Sequence, residues 1–154
     1  MGERVFRGVT NLNIDSKGRV AMPARYRDRL RESCEGQLVV TVDRDGCLLV
    51  YPLPEWERIE AAVMARPNID PQVRQLQRVF VGYATDVEMD GQARILIAPT
   101  LREQAKLDKH VVLVGQGNKF ELWDEAVWAA QRDEWLQSDA FTSGLSEALS
   151  SLSI

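Results

Sequence analysis

The stretch "IDSKGRV" at residues 14–20 returns in altered form as "MDGQARI" at residues 89–95, an offset of 75 positions. A second pair of stretches follows: "VVTVDRDGCLLVYPLPEW" at 39–56 matches "VVLVGQGNKFELWDEAVW" at 111–128, with an offset of 72. Self-similarity at such distances is typical of a chain built from repeated structural units. The sequence therefore predicts two copies of one unit, with the change of offset absorbed in a loop between the matched blocks.

Each copy places an aspartate and an arginine four residues apart: Asp15 with Arg19, and Asp90 with Arg94. In a straight strand such residues lie ~13 Å apart, too far to pair. Around a three-residue turn the same two residues face each other across a hairpin. The sequence therefore predicts two turns, each bracketed by an ion pair.

The predicted hairpins bury one apolar face. In the first copy the turn sets Leu12 and Ile14 opposite Met22 and Val20. The same register in the second copy sets Val87 and Met89 opposite Ile97 and Ile95.

The second copy differs from the first at two backbone positions. Gly18 supplies the left-handed residue that such a turn favours, whereas Ala93 stands at the matching place and implies a cost of about 1 kcal/mol or another turn geometry. Pro23 and Pro99 are each placed to open a helix, but they are one residue out of step, which predicts a bulge or a shifted helix start in the second copy.

The remaining segments complete each copy as hairpin, helix, hairpin, helix. The closing helices are predicted over Glu55–Ala65 and Glu125–Gln137, and a helix capped by Asp70 joins the copies. The fold class is thus mixed α/β with mainly antiparallel strands. The predicted divisions are a first half (1–68), a connecting helix (69–84), a second half (85–137) and a serine-rich, disordered C-terminal tail (138–154).

Positive charge is concentrated at the start of the chain. The 154 residues carry a net charge of −4, yet residues 1–31 hold eight basic and three acidic side chains. This asymmetry indicates either an end that faces a polyanion or a solvated charged face. No window approaches the ~18 apolar residues of a membrane span, so a soluble, cytoplasmic protein is expected.

Residues suited to catalysis or metal binding are few. Cys34 and Cys47 show no ligand spacing with the single histidine, His110, and are expected to be buried free thiols. Neither a phosphate loop nor a nucleophile elbow is visible. The sequence predicts no metal, no cofactor and no small-molecule ligand, and a protein that is not an enzyme.

Two interpretations of the bracketed turns stay open at this point. The ion pair between Asp15 and Arg19 either pins the turn, worth about 0–1 kcal/mol, or orients the arginine towards a phosphate or a guanine edge. In the second case Lys17 approaches the duplex, and a two-stranded ribbon is narrow enough to enter a major groove.

Several stretches in order resemble the MraZ family, from Phe6 to about Trp135: "FRG" at 6–8, "NLNIDSKGR" at 11–19, "PARYR" at 23–27, "LLVYPLPEWE" at 48–57, "MDGQARILIAP" at 89–99 and "NKFELWDE" at 118–125. The resemblance implies a transcriptional regulator whose two AbrB-like halves form a double swapped-hairpin barrel. It further implies a nucleoid-associated ring that binds tandem direct-repeat boxes in double-stranded DNA. Such a protein typically represses the division and cell-wall gene cluster, and its own synthesis with it.

The predicted DNA contacts combine the resemblance with the basic N-terminal region, and the second turn has Gln92 where the first has Lys17. The set is Asp15, Lys17, Gly18, Arg19, Arg7, Arg27 and Arg94. The rival hypothesis is a self-assembling scaffold that binds proteins and no specific DNA.

Overall fold

A computed structural model describes residues 5–138, 149, 151 and 152, and its elements follow the predicted order. The strands are β1 (Phe6–Asn13), β2 (Arg19–Ala21), β3 (Gln37–Val42), β4 (Leu48–Pro52), β5 (Thr85–Glu88), β6 (Arg94–Leu96), β7 (His110–Gly117) and β8 (Phe120–Asp124). The helices are α1 (Ala24–Cys34), α2 (Leu53–Met64), α3 (Pro71–Leu76) with a π-helical turn after it (Gln77–Val81), α4 (Pro99–Gln104) and α5 (Glu125–Leu136). Asp70 caps α3 as predicted, accepting a 2.8 Å hydrogen bond from the Gln72 amide.

The strands form a six-stranded sheet in the order β1-β7-β8-β4-β3-β5 and a two-stranded ribbon of β2 and β6. All pairings among the described strands are antiparallel. The mixed α/β class with antiparallel strands is therefore confirmed. The two repeats are interleaved, since β1 pairs with β7 and β5 pairs with β3.

The predicted pairing of apolar residues across the bracketed turns is wrong. Leu12 does not face Met22 but lies opposite Val111 of β7, and Val20 lies opposite Ile95. In the second copy, Val87 faces Leu38 of β3 in place of Ile97. The exchange keeps the inward pattern on which the prediction was based, because antiparallel partners from the other repeat have the same alternation. It also gives β1 an eight-residue ladder, which the three-residue β2 could not supply.

The apolar core joins both repeats around this exchange. Met22 and Ile97, which follow the two ribbon strands, are both fully buried. Tyr26 on α1 and Leu101 on α4 are buried at matching repeat positions. Phe6 packs against Tyr26 and Phe120 with ring centroids 5.7 and 4.4 Å away. The ribbon and helices α1 and α4 are therefore anchored on one side by the core.

The helices after the turns begin at equivalent places, so neither a bulge nor a shifted start occurs. α1 begins at Ala24 after Pro23, and α4 begins at Pro99 after Ala98. Ala24 and Pro99 match at the offset of 75. Only the position of the proline differs. It is the residue before the helix in the first copy and the first helical residue in the second, and its fixed φ suits both positions.

The chain divides into two compact units after Asp124. The second unit contains α5, where Trp128 and Trp135 stack edge to face at 6.0 Å, because a spacing of seven residues places both on one face of the helix. The predicted tail disorder falls largely on residues 139–148, 150, 153 and 154, which lie outside the described residues. The predicted divisions at 68, 84 and 137 stay a prediction. None of the helices in the described segments is long and apolar enough to cross a membrane.

Candidate nucleic-acid interface

The first turn is closed by its aspartate. The Asp15 amide donates to the Arg19 carbonyl at 2.9 Å, and the Gly18 amide donates to the Asp15 carbonyl at 3.0 Å. The Asp15 carboxylate accepts the amides of Lys17 (2.9 Å) and Arg19 (2.8 Å) through Oδ1. Its Oδ2 accepts Nε of Arg19 at 2.8 Å. The predicted facing pair is therefore present, and one carboxylate fixes both the backbone and the guanidinium.

The second turn repeats this geometry bond for bond. Asp90 Oδ1 accepts the amides of Gln92 and Arg94, each at 2.9 Å, and Oδ2 accepts Nε of Arg94 at 2.9 Å. Gly18 has φ 86° and Ala93 has φ 61°, both left-handed. The sequence predicts for Ala93 either a conformational cost or another turn geometry. The turn geometry is unchanged, so Ala93 adopts the costly left-handed conformation.

The bracketing carboxylates are held in their charged form. The backbone N–H of Arg19 lowers the pKa of Asp15 most, and the side chain of Arg19 and the amide of Lys17 lower it further. The pKa of Asp90 is lowered in the same way, first by the backbone N–H of Arg94. Each aspartate therefore stays a hydrogen-bond acceptor, which fixes its arginine in one orientation.

The two arginines lie on one surface. In the ribbon Arg19 pairs with Leu96, Val20 with Ile95, and Ala21 with Arg94. Val20 and Ile95 are 1% exposed, so the other two pairs face outward. Arg19 and Arg94 are diagonal neighbours, at a spacing of roughly 7–8 Å for such positions. The repeats thus contribute one arginine each to a single outer face.

These arginines keep donors for a further ligand. Because each aspartate takes Nε, the Nη nitrogens of Arg19 and Arg94 are left for other acceptors, and no protein hydrogen bond to them is found within residues 5–138. A guanidinium held through Nε can present its Nη pair to a phosphate or to the acceptor edge of guanine.

Arg27 supports the turns from within the protein. Its Nε donates to the Met22 carbonyl at 2.7 Å, and Arg102 repeats the contact with the Ile97 carbonyl at 3.1 Å. Arg102 also lies against Gly18, whose absent Cβ would be 3.0 Å from the Arg102 guanidinium carbon. The structure thus gives Arg27 a structural contact, and its use in DNA binding stays a prediction.

The other predicted residues are distributed unevenly. Lys17 is exposed in the first turn, beside Arg19. Arg7 lies near the start of β1, eight residues before Asp15, so roughly 26 Å of extended strand separates them. The structure therefore brings Asp15, Lys17, Gly18, Arg19 and Arg94 to the ribbon, while Arg7 lies in the large sheet.

Sequence reasoning missed two arginines beside the turns. Arg102 could have been found by applying the offset of 75 to Arg27. Arg31 donates from Nη2 to the Asp90 carbonyl at 3.1 Å, a contact between the first repeat and the second turn. Only the fold could reveal it, since 59 residues separate the two.

One further cluster contains potential metal ligands. Asp43, Cys47 and Glu121 each offer a ligand atom, and these atoms lie within 4.8 Å of one another. Burial raises the pKa of the Cys47 thiol above its ordinary range, and the nearby carboxylates raise it further. The thiol is thus protonated at neutral pH and can donate to Asp43 Oδ2, 3.7 Å away. Cys34 and Cys47 are both free and buried, as predicted.

Fold and site together define a tandem-repeat α/β protein whose halves exchange strands and share an arginine-bearing ribbon. A family model described as "MraZ protein, putative antitoxin-like" matches this chain twice, over residues 5–79 and 80–150. The chain belongs to the MraZ family.

Relatives from three bacteria are each named transcriptional regulator MraZ. The protein from Thioalkalivibrio sulfidiphilus is 67% identical over 150 residues, covering 97% of this chain and 100% of its own. Those of Halorhodospira halophila and Pseudomonas aeruginosa are 53% and 52% identical, covering 88% and 96% of this chain and 90% and 99% of their own. The family is therefore one of transcriptional regulators, which is not a class of enzyme.

Proposed function

We propose that this protein is a sequence-specific DNA-binding repressor that binds tandem direct-repeat promoter boxes as a homo-oligomeric ring. The observation that carries the proposal is the outer face of the β2/β6 ribbon, where Arg19 and Arg94 are each held by an aspartate. A protein that reads base edges needs side chains fixed before contact, because freezing a mobile arginine costs side-chain entropy. The target promoter is that of the division and cell-wall gene cluster, with the protein's own gene among those repressed.

Phosphate contacts and base contacts have separate roles in this proposal. Lys17 and the basic residues near the turns supply sequence-independent affinity. Arg19 and Arg94 supply specificity in the major groove, where a bidentate pair with guanine discriminates by about 1–3 kcal/mol. The net charge of −4 does not oppose this role, because positive charge is concentrated in residues 1–31, which contain the first turn.

Ring assembly would make a modest patch on each subunit sufficient. Linked binding modules gain affinity by ~10²–10⁴ without new contacts when several engage one DNA. Direct repeats spaced at about 10–10.5 base pairs, or multiples of it, present the same side of the duplex to such an array. The location that follows is the cytoplasm, in association with the nucleoid.

The decisive experiment is footprinting of the full chain on the DNA immediately upstream of its own reading frame. The proposal predicts protected segments at regular helical spacing, lost in the variant Arg19→Ala and kept in the control Arg44→Ala, whose side chain lies in the β3–β4 turn. Arg19→Ala should leave the melting temperature and the oligomer size nearly unchanged. A failure of the wild-type chain to bind any duplex at low salt would contradict the proposal and support the protein-binding scaffold.

A further inference from the structure

The C-terminal part of α1 is fixed against the second turn. Arg31, in the last turn of α1, donates Nη2 to the Asp90 carbonyl at 3.1 Å. Five residues further on, the Gly36 carbonyl accepts the amide of Met89, the residue before Asp90, at 2.9 Å. Two contacts therefore hold the C-terminal end of α1 beside the second turn, and one of them is made by the Arg31 guanidinium.

The first turn has a different neighbour at the corresponding place. Ile14, before Asp15, donates its amide to the Lys109 carbonyl at 2.8 Å, so the loop after α4 takes the part that Gly36 takes. α4 has six residues and α1 has eleven. The residue that matches Arg31 is Lys106, which lies beyond the end of α4 with φ 54°. The longer α1 thus carries Arg31 to the second turn, whereas Lys106, at the matching position, lies outside α4.

Within the turns themselves, the first turn and not the second carries the additional positive charge. The first turn contains Lys17, whereas the second has the neutral Gln92 at the matching position. Arg31 is exposed, and no carboxylate within residues 5–138 forms an ion pair with it. Each turn therefore has a solvent-facing cation in addition to its bracketing arginine: Lys17 lies within the first turn, and Arg31 reaches the second turn from the other repeat.

We propose that Arg31 contacts a DNA phosphate beside the second turn and there replaces the lysine that this turn lacks. This inference depends on the proposed function, since it assumes that the ribbon faces a duplex. A guanidinium has five N–H donors in a fixed fork, so one bond to the Asp90 carbonyl leaves the others for phosphate oxygens. The second turn then has a cation for phosphate contact, as the first turn has Lys17.

The test measures binding of the footprinted upstream duplex by fluorescence anisotropy at a series of salt concentrations. Arg31→Gln keeps an amide donor for the Asp90 carbonyl but removes the charge, and Arg31→Lys keeps the charge. Arg31→Gln should weaken binding roughly tenfold or more and lower the salt slope by about one per bound subunit. Arg31→Lys should retain the slope, and the matched control Arg44→Gln should bind like the wild type.

A second measurement locates the contact. Arg31→Gln should cost much less in an Arg94→Ala background, where the second turn is already disengaged, than in an Arg19→Ala background. Equal costs in both backgrounds, or binding by Arg31→Gln that matches Arg44→Gln, would overturn the inference while leaving the proposed function intact. If the wild-type chain bound no duplex, both would fall. Circular dichroism melting of each variant separates these outcomes from unfolding.

Discussion

The two bracketed turns, residues 15–19 and 90–94, have one geometry but different central residues. The Nε to Oδ2 distance is 2.8 Å in the first and 2.9 Å in the second, although Lys17 and Gly18 are replaced by Gln92 and Ala93. In each turn one carboxylate accepts three hydrogen bonds. The aspartate and the arginine thus form the same turn although the residues between them differ.

The surroundings of the turns differ more than the turns themselves. Arg102 lies against the first turn and Arg31 against the second, each contributed by the other repeat. The strand exchange therefore mixes the charges of the two halves. A substitution of Arg31 or Arg102 therefore changes the surroundings of the turn in the other repeat.

The largest expected effect concerns the ribbon that joins the turns. Ile95→Ala should lower the free energy of unfolding by about 2–5 kcal/mol, because it opens a cavity beneath the ribbon. Val20→Ala should cost less, and since the two residues are paired, the double variant should deviate from additivity by at least about 0.5 kcal/mol. Urea unfolding measures both. Leu96→Ala on the outer face is the control, and strict additivity of the two core changes would contradict the composite ribbon.

The central glycine and alanine of the turns offer the next test. Gly18→Ala should destabilise the fold by about 1 kcal/mol or more, because φ is 86° and the new methyl would lie 3.0 Å from the Arg102 guanidinium carbon. Ala93→Gly should be nearly neutral, since relief of the left-handed strain offsets the loss of a buried methyl worth about 0.8 kcal/mol. Thermal melting measures the change in stability of each variant. If Ala93→Gly destabilised the fold as much as Gly18→Ala does, the two turns would not be equivalent.

Arg27 and Arg102, at matching positions of the two repeats, test the repeat symmetry with a smaller expected change in stability. Arg27→Ala and Arg102→Ala each remove the donor to one backbone carbonyl, that of Met22 or Ile97. Each should cost about 1 kcal/mol of unfolding free energy, with Arg44→Ala as the control. If urea unfolding showed a marked difference in unfolding free energy between the two variants, one of the two hydrogen bonds would not stabilise the fold.

Titration of the bracketing aspartates gives the finest comparison. The pKa values of Asp15 and Asp90 are both lowered, so their stabilising effect is present above the ordinary aspartate range and is lost as pH falls through the folded-state pKa. NMR titration should find both midpoints below the ordinary value. Arg19→Ala should raise the pKa of Asp15 only part of the way, because the backbone donors remain, and should leave that of Asp90 unchanged. A rise at both aspartates would indicate coupling between the turns.

The repeat and most elements could be predicted because their signals are local. The offset of 75 located both turns, and the spacing of Asp15 and Arg19 predicted their contact. The Asp70 cap and the second hairpins likewise depend on neighbouring residues.

The partners of the strands could not be predicted from the same signals. Val20 is buried whether it faces Ile14 in a local hairpin or Ile95 in the ribbon, because alternation of apolar residues reports which face is buried and not which strand lies opposite. The contact of Arg31 with Asp90 depends on that exchange and was invisible for the same reason. The strand partners and the contact of Arg31 with Asp90 therefore depend on tertiary pairing, which the local sequence pattern does not reveal.

We propose that both turns belong to one DNA-reading surface. The most direct test compares Arg19→Ala with Arg94→Ala in binding to the upstream duplex at fixed salt, with melting temperatures recorded for both. We expect comparable losses in the two variants, each of about 1–3 kcal/mol in binding free energy, and intact folds. Wild-type affinity in Arg94→Ala, alongside a loss in Arg19→Ala, would restrict DNA reading to the first turn and contradict a shared surface.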